Sequence, residues 1–150
     1  MKLAAPNGVF FAAIALLALA LAPAWLASHG GDLATAAIFA FFSKVCHQRL
    51  DRILILFGAP VAVCVRCLGI YAGAAMGSLI QVEQPTALRW FIAMLFANTL
   101  DVLSEYGGLH GKDQGVRILL GICLGAGIGL LLSGEVEGPE DHRDHPPVCT

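Results

Sequence analysis

Apolar residues run almost unbroken from 9 to 27, from Cys67 to Val82 and from Ile118 to Ser133, and each run reads as a membrane-spanning helix. A span needs roughly 17–25 residues, so the last two are expected to extend into their flanks. A fourth apolar stretch, residues 89–106, carries Asn98, Asp101, Ser104 and Glu105. Residues 33–43 are too short to cross comfortably, which leaves either a tilted span with Lys44 snorkelling or a re-entrant or interfacial helix. Between the second of these segments and the third lies RILILFGAPVAVCVRC, broken by Gly58 and Pro60. Its two β-branched runs predict a tight hairpin, with an irregular interfacial loop as the alternative; a hairpin would carry Cys64 and Cys67 back towards Cys46.

Composition sharpens this into a membrane protein. The chain of 150 residues is 57% hydrophobic and 13% charged, against roughly 25% charged in an ordinary soluble domain. A single integral-membrane domain over 1–134 is expected, followed by an acidic, proline-bearing tail over 135–150 that reads as disordered. The net charge of −2 supplies no basic face for nucleic acid. The first apolar run also resembles a cleavable leader, with Lys2 before it and Ala22-Pro23-Ala24 near its end, but the charges argue otherwise. If 33–43 spans, Lys2, Lys44, Arg49, Arg52, Arg66, Lys112 and Arg117 all fall on the cytoplasmic side and only Arg89 and Arg143 outside. If it does not, the N-terminus moves outside and six of the nine positive residues stay inside. Either way the segment 44–66 faces the cytoplasm, where thiols stay reduced.

Chemistry concentrates in that segment. Cys46, His47, Cys64 and Cys67 fall within 22 residues, beside Lys44, Arg49, Arg52 and Arg66. Three readings are open. In a zinc knuckle, thiolates from one tight turn join two further ligands, and iron is the other candidate metal. Adjacent residues rarely point at one ion, so Cys46, Cys64 and Cys67 carry more weight than His47, whose place His29, His110 or water could take. In a redox dithiol, Cys67 at a helix start beside Arg66 has the setting that lowers a thiol pKa, although no thioredoxin-like βαβ pattern surrounds it. In the third reading these are unligated small residues at a helix entry.

Asn98, Asp101 and Glu105 share one helix face by i, i+3, i+7 spacing. A carboxylate at mid-membrane costs roughly 2.5–3.5 kcal/mol, so this face must turn inward. It is either a proton or cation site, with added ligands for the same metal as a variant, or an interior ion pair of Asp101 or Glu105 with Arg117 or Arg66. Gly69, Gly73 and Gly77 repeat every fourth residue, as do Gly121, Gly125 and Gly129. Such ladders predict two helices packed closely on each other or on a second copy of the chain. Cys123 reads as a core thiol, Cys149 lies unpartnered in the tail, and His142 and His145 read as solvated.

Cys46-His47-Gln48 with Arg52 beyond it, then CVRCLGIYAG from Cys64 to Gly73, resembles a family of small prokaryotic membrane proteins known as domain of unknown function 2085. Its signature pairs a CHQ segment with a CxRCxGIYxG segment opening a helix, and the resemblance covers roughly residues 40–130. Asp101, Arg117 and Gly121 match its intramembrane aspartate and its last helix, while Leu50, Ile53 and Leu120 depart from its usual proline, serine and threonine. The family implies no reaction.

The expected architecture is therefore an all-α bundle of four or five transmembrane or re-entrant helices with the Cys/His loop at the cytoplasmic face. Its leading function is a metal site that is either structural or hydrolytic on a lipid-borne substrate, with Asp101 or Glu105 as base and Arg49, Arg52 and Arg66 holding an anionic headgroup. The competing functions are a small proton- or cation-coupled transporter using Asn98, Asp101 and Glu105, and a membrane thiol oxidoreductase using the CxxC pair. No phosphate loop, Rossmann glycine pattern or CxxCH haem motif occurs in the chain.

Overall fold

The computed structural model of the chain describes residues 2–3, 8–27, 29–108 and 113–133. The tail over 135–150 with His142, His145 and Cys149, and likewise His110 and Lys112, lie outside the described residues. Among those described, five helices dominate: α1 (Gly8–Ala27), α2 (Asp32–Phe42), α3 (Val65–Gly77), α4 (Gln84–Tyr106) and α5 (Gln114–Ser133). Two small antiparallel ribbons accompany them, β1 (Lys2–Leu3) with β4 (Ile80–Gln81), and β2 (Ile53–Leu56) with β3 (Ala59–Cys64).

Three helices, α1, α4 and α5, are long and apolar enough to cross a membrane. The expected span from Cys67 to Val82 is shorter than its apolar run: the helix begins at Val65 and stops at Gly77, 13 residues in all. Beyond Gly77 the chain turns on buried Ser78, whose hydroxyl bonds the Ala75 carbonyl, and becomes extended at Ile80–Gln81 to pair with β1. Pro85, in the first turn of α4, then fixes the start of the next helix. At 1.5 Å per residue α3 is about 20 Å long, below the roughly 30 Å of a bilayer core. α2, with 11 residues, is shorter still.

α3 occupies the middle of the molecule, packed on α1 along one side and on α5 along the other, and α4 covers α5. Lipid tails are as apolar as leucine, so close packing rather than hydrophobic burial must hold these helices together. Small residues make that possible. α1 turns Ala13, Ala20 and Ala24 inward, spaced seven and four residues apart on one face. At the α3–α5 contact the two glycine ladders are reciprocal. A Cβ added at Gly69, Gly73 or Gly77 would collide with the carbonyl of Ile118, Ile122 or Ala126 respectively, and one at Gly121, Gly125 or Gly129 with that of Arg66, Ile70 or Ala74. Each glycine thus presents its Cα–H to a facing carbonyl, a contact of roughly 0.5–1 kcal/mol. Large apolar side chains such as Trp90, Ile92, Phe96, Leu100 and Leu103 of α4 point outward, as a lipid-facing surface requires.

The hairpin forms where the two β-branched runs place it. Leu56 pairs with Ala59, so Phe57 and Gly58 are the two central residues of the turn. Both have positive φ, 53° and 81°, the signature of a type I′ turn whose twist suits a hairpin. Val61, Ala62 and Val63 of β3 are fully buried, against Ala20 and Ala24 of α1 and Phe42 of α2. The ribbon is therefore clamped to the end of α1, and β3 runs directly into α3 at Cys64.

Candidate metal centre and its arginine cluster

Cys46, Cys64 and Cys67 come from three local settings that the hairpin brings together. Cys46 follows α2, its amide donating 2.9 Å to the Phe42 carbonyl as the helix unwinds. Cys64 ends β3 and is the cap of α3, and Cys67 lies in the first turn of that helix. The three Sγ atoms lie within 4.8 Å of one another. All three are free thiols. Cys46 is buried on an apolar floor of Phe42, Val63 and Leu68, and Tyr71 packs against the same cluster. The Cys64 amide donates to Cys46 Sγ at 3.3 Å. Hydrogen bonds from the Cys64 thiol, then the Cys67 thiol, hold Cys46 as a thiolate with its pKa lowered to about 2, against the opposing effect of burial.

Four ligands at the roughly 2.3 Å of a zinc–sulfur bond, arranged tetrahedrally, place sulfur atoms somewhat under 4 Å apart, which the cluster can accommodate. His47, named beside Cys46 in the sequence reading, is exposed and is not among the residues gathered there. His29 donates through Nδ1 to the Trp25 carbonyl at 2.9 Å and stacks on the Trp25 ring. Cys123, on α5, is likewise outside the group.

Gln48 holds the loop in place, a role that its position in the CHQ segment did not disclose. Its φ of 48° is left-handed, and its side-chain amide donates to the carbonyls of Phe39 at 2.8 Å and Ala62 at 2.9 Å. One side chain thus ties the end of α2 to β3, on either side of Cys46. The signal available in sequence was only that a polar residue capable of two donations stands next to a cysteine at a helix exit.

Beside the thiols the charged residues are paired. Arg66 bonds Asp101 across α3 and α4. Glu105 Oε1 accepts from two guanidinium groups, Arg52 Nη2 at 2.5 Å and Arg117 Nη2 at 3.0 Å. Arg49, more exposed, pairs with Asp51 at 3.2 Å. The interior ion pairs foreseen with Arg66 and Arg117 are present, and Arg52 adds a partner that the sequence reading assigned to substrate instead. One turn deeper, buried Asn98 donates to the Leu120 carbonyl at 3.1 Å, joining α4 to α5.

The profile of the family described as "Predicted membrane protein (DUF2085)" matches residues 46–131, which span the thiols, Asp101, Glu105 and Arg117. The chain belongs to this family. An uncharacterised protein of Methanocaldococcus jannaschii is 28% identical over 95 residues, covering 59% of this chain and 61% of the relative. An uncharacterised protein of Methanothermobacter thermautotrophicus is also 28% identical over 95 residues, covering 60% of this chain and 86% of the relative. The match thus spans about three-fifths of the first relative's length. No solved structure matches the chain.

Proposed function

We propose that this member of the DUF2085 family is an integral membrane protein whose Cys46, Cys64 and Cys67 thiolates hold a metal ion, zinc before iron, at the cytoplasmic membrane face. The observation that carries the reading is the convergence of three sulfur atoms within 4.8 Å from a helix exit, a strand end and a helix start. Three thiolates leave one position of a tetrahedral ion for water, His47 or a substrate atom, which distinguishes this site from a closed structural one. When bound, such an ion supplies Lewis acidity. The chain's own contribution is to bury the thiolates on an apolar floor, lock their loop through Gln48, and set arginines beside them for an acyl or phosphoryl group on a lipid. Asp101 and Glu105 orient those arginines in this reading, and either would act as a base only after its ion pair opens.

The distribution of positive charge supports the proposed orientation. β1 pairs with β4 at the end of α3 remote from the thiols, so the N-terminus and the start of α4 share one side and the hairpin, Tyr106 and the start of α5 share the other. With α2 too short to cross and α3 a short crossing shielded between α1 and α5, Lys44, Arg49, Arg52, Arg66 and Arg117 gather on the thiol side. The positive-inside rule supports assigning that side to the cytoplasm.

The test is elemental analysis of detergent-purified protein beside a Cys46/Cys64/Cys67 triple serine variant, with thiol titration on the same samples. About one equivalent of zinc or iron, lost in the variant, supports the reading. Metal-free protein with a Cys64–Cys67 disulfide would replace it with thiol oxidoreduction. The transporter reading draws on the placement of Asn98, Asp101 and Glu105 against α5 and its arginine; Asp101→Asn abolishing proton-coupled flux in proteoliposomes would favour it, and unchanged flux would remove it.

A further inference from the structure

We infer that Arg49 and Arg52, backed by the buried charge of Arg117, form a binding site for a phosphate group, carried on a lipid headgroup or free, in the cavity that opens beside Glu105. The site stands independently of whether the thiols hold a metal. Its geometry begins with an imbalance. Arg52 and Arg117 converge on the same oxygen of Glu105, so two guanidinium charges share one carboxylate. Around them, Arg66 is matched by Asp101 and Arg49 by Asp51, so among the described ion pairs four guanidinium groups share three carboxylates.

Donors are left over as well. Arg117 is 4% exposed, and among the described residues its Nη1 is buried without a hydrogen-bond partner; Arg52 Nε is in the same position, 3.9 Å from Asp51, beyond bonding distance. A buried guanidinium donor left unmade costs about 1–3 kcal/mol, more because it is charged. A group with several acceptor oxygens and a negative charge, held by the guanidinium groups that line a neighbouring cavity, would offset the charge excess. Room for one exists. A cavity of ≈ 230 Å³ is lined by Arg49, Arg52, Glu105 and Tyr106. Tyr106 is largely exposed at its mouth, and Arg49, 55% exposed, flanks the entrance.

Elements far apart in sequence build this site. Arg49 and Arg52 flank the 3₁₀ turn Leu50–Arg52 before the hairpin, Glu105 and Tyr106 end α4, and Arg117 belongs to the first turn of α5. Glu105 is the positioning residue: without it Arg52 and Arg117 would repel. A phosphate in the cavity would meet exposed Arg49 and half-buried Arg52, with the buried charge of Arg117 behind Glu105, at the level where phospholipid headgroups meet the membrane face.

The test uses the full chain purified in maltoside, titrated calorimetrically with inorganic phosphate, and separately floated with vesicles of phosphatidylcholine containing one-fifth phosphatidylglycerol. Saturable binding of phosphate, or phosphatidylglycerol-dependent retention that phosphate does not compete away, supports the site; the first identifies free phosphate as the ligand and the second the headgroup. Arg49→Gln, at an exposed position, should weaken that binding about tenfold, and the charge-balanced Glu105→Gln/Arg117→Gln pair should abolish it with helicity retained. Arg89→Gln, on the exposed surface of α4 and about 24 Å along that helix from Glu105, should change nothing. Absence of saturable binding of either probe to the wild-type chain would overturn the inference, as would equal losses in Arg89→Gln or wild-type affinity in both other variants.

Discussion

Replacing Gly73 with alanine tests the central contact of the fold. The added Cβ would collide with the Ile122 carbonyl and stand 2.8 Å from Ala126 N, well inside ordinary contact, and both obstacles are backbone atoms of α5 that no rotamer change can move. Relief requires α3 and α5 to separate by about 1 Å, and the neighbouring glycine–carbonyl contacts lengthen with them. Losing half of the six reciprocal contacts, at roughly 0.5–1 kcal/mol each, costs about 2 kcal/mol. Overpacking adds about 1 kcal/mol at the low end of its range. Alanine returns about 1 kcal/mol through its better helix propensity. The net expectation is a loss of about 2 kcal/mol, read from SDS-titration unfolding in mixed micelles followed by circular dichroism. Gly125→Ala, which meets the Ile70 carbonyl, should behave alike. Gly127→Ala, whose nearest neighbours are at 3.2 Å on Phe91 and Trp90, should cost less, and Gly8→Ala, with nothing within 4 Å, should be neutral or slightly stabilising. If Gly73→Ala unfolds at the same SDS fraction as Gly8→Ala, the interlocked α3–α5 interface is wrong.

On the proposed metal reading a strong chelator should lower the melting temperature reversibly, since an ion at a hundred times its Kd stabilises by about 2.7 kcal/mol, and Cys46→Ser should be indifferent to the chelator in differential scanning fluorimetry. Gln48→Ala should cost about 1–3 kcal/mol by removing both donations, to the Ala62 carbonyl and to a Phe39 carbonyl that keeps its bond from the Ser43 amide, and Gln48→Glu more, because it sets a charge against them; thermal unfolding of the three proteins side by side decides the order. Gly58→Ala should destabilise by about 1 kcal/mol at φ 81°, whereas Phe57→Asn should be neutral or stabilising at φ 53°, where asparagine is at home in a type I′ turn and the phenylalanine is 81% exposed; a stable Gly58→Ala would contradict the turn.

Much of this was legible in the chain before any coordinates. Gly58 between two β-branched runs announced the hairpin, and a hairpin of that length returns a CxxC pair to a cysteine some twenty residues earlier. The glycine ladders declared that helices approach closely, though not which neighbour each would meet. What was hidden is instructive. Hydropathy continues through Leu79 and Ile80, so it cannot show that α3 ends at Gly77; the ending depends on Ser78 turning back on Ala75 and on strand pairing with residues at the far N-terminus. Periodicity put Asp101 and Glu105 on one face but could not choose their partners, because Arg52 reaches Glu105 only once the hairpin has packed on α1. Gln48 was visible as a letter and silent as a role, since its two acceptors come from elements separated by nine residues on one side and fourteen on the other.

The contrast between near and distant partners also sets an order of assembly during synthesis. The three thiols lie on one short stretch and can meet as soon as α1, α2 and the hairpin have emerged, before α4 exists. Glu105 must wait for a chain 53 residues longer than Arg52, and Arg117 arrives later still. A nascent chain halted after α3 would therefore carry a complete sulfur cluster beside Arg52 and Arg66 without their α4 carboxylates and a bare glycine face. Insertion of the last helical hairpin neutralises those arginines and covers that face in a single event, which makes α4 and α5 the step that commits the protein to its final form in the membrane.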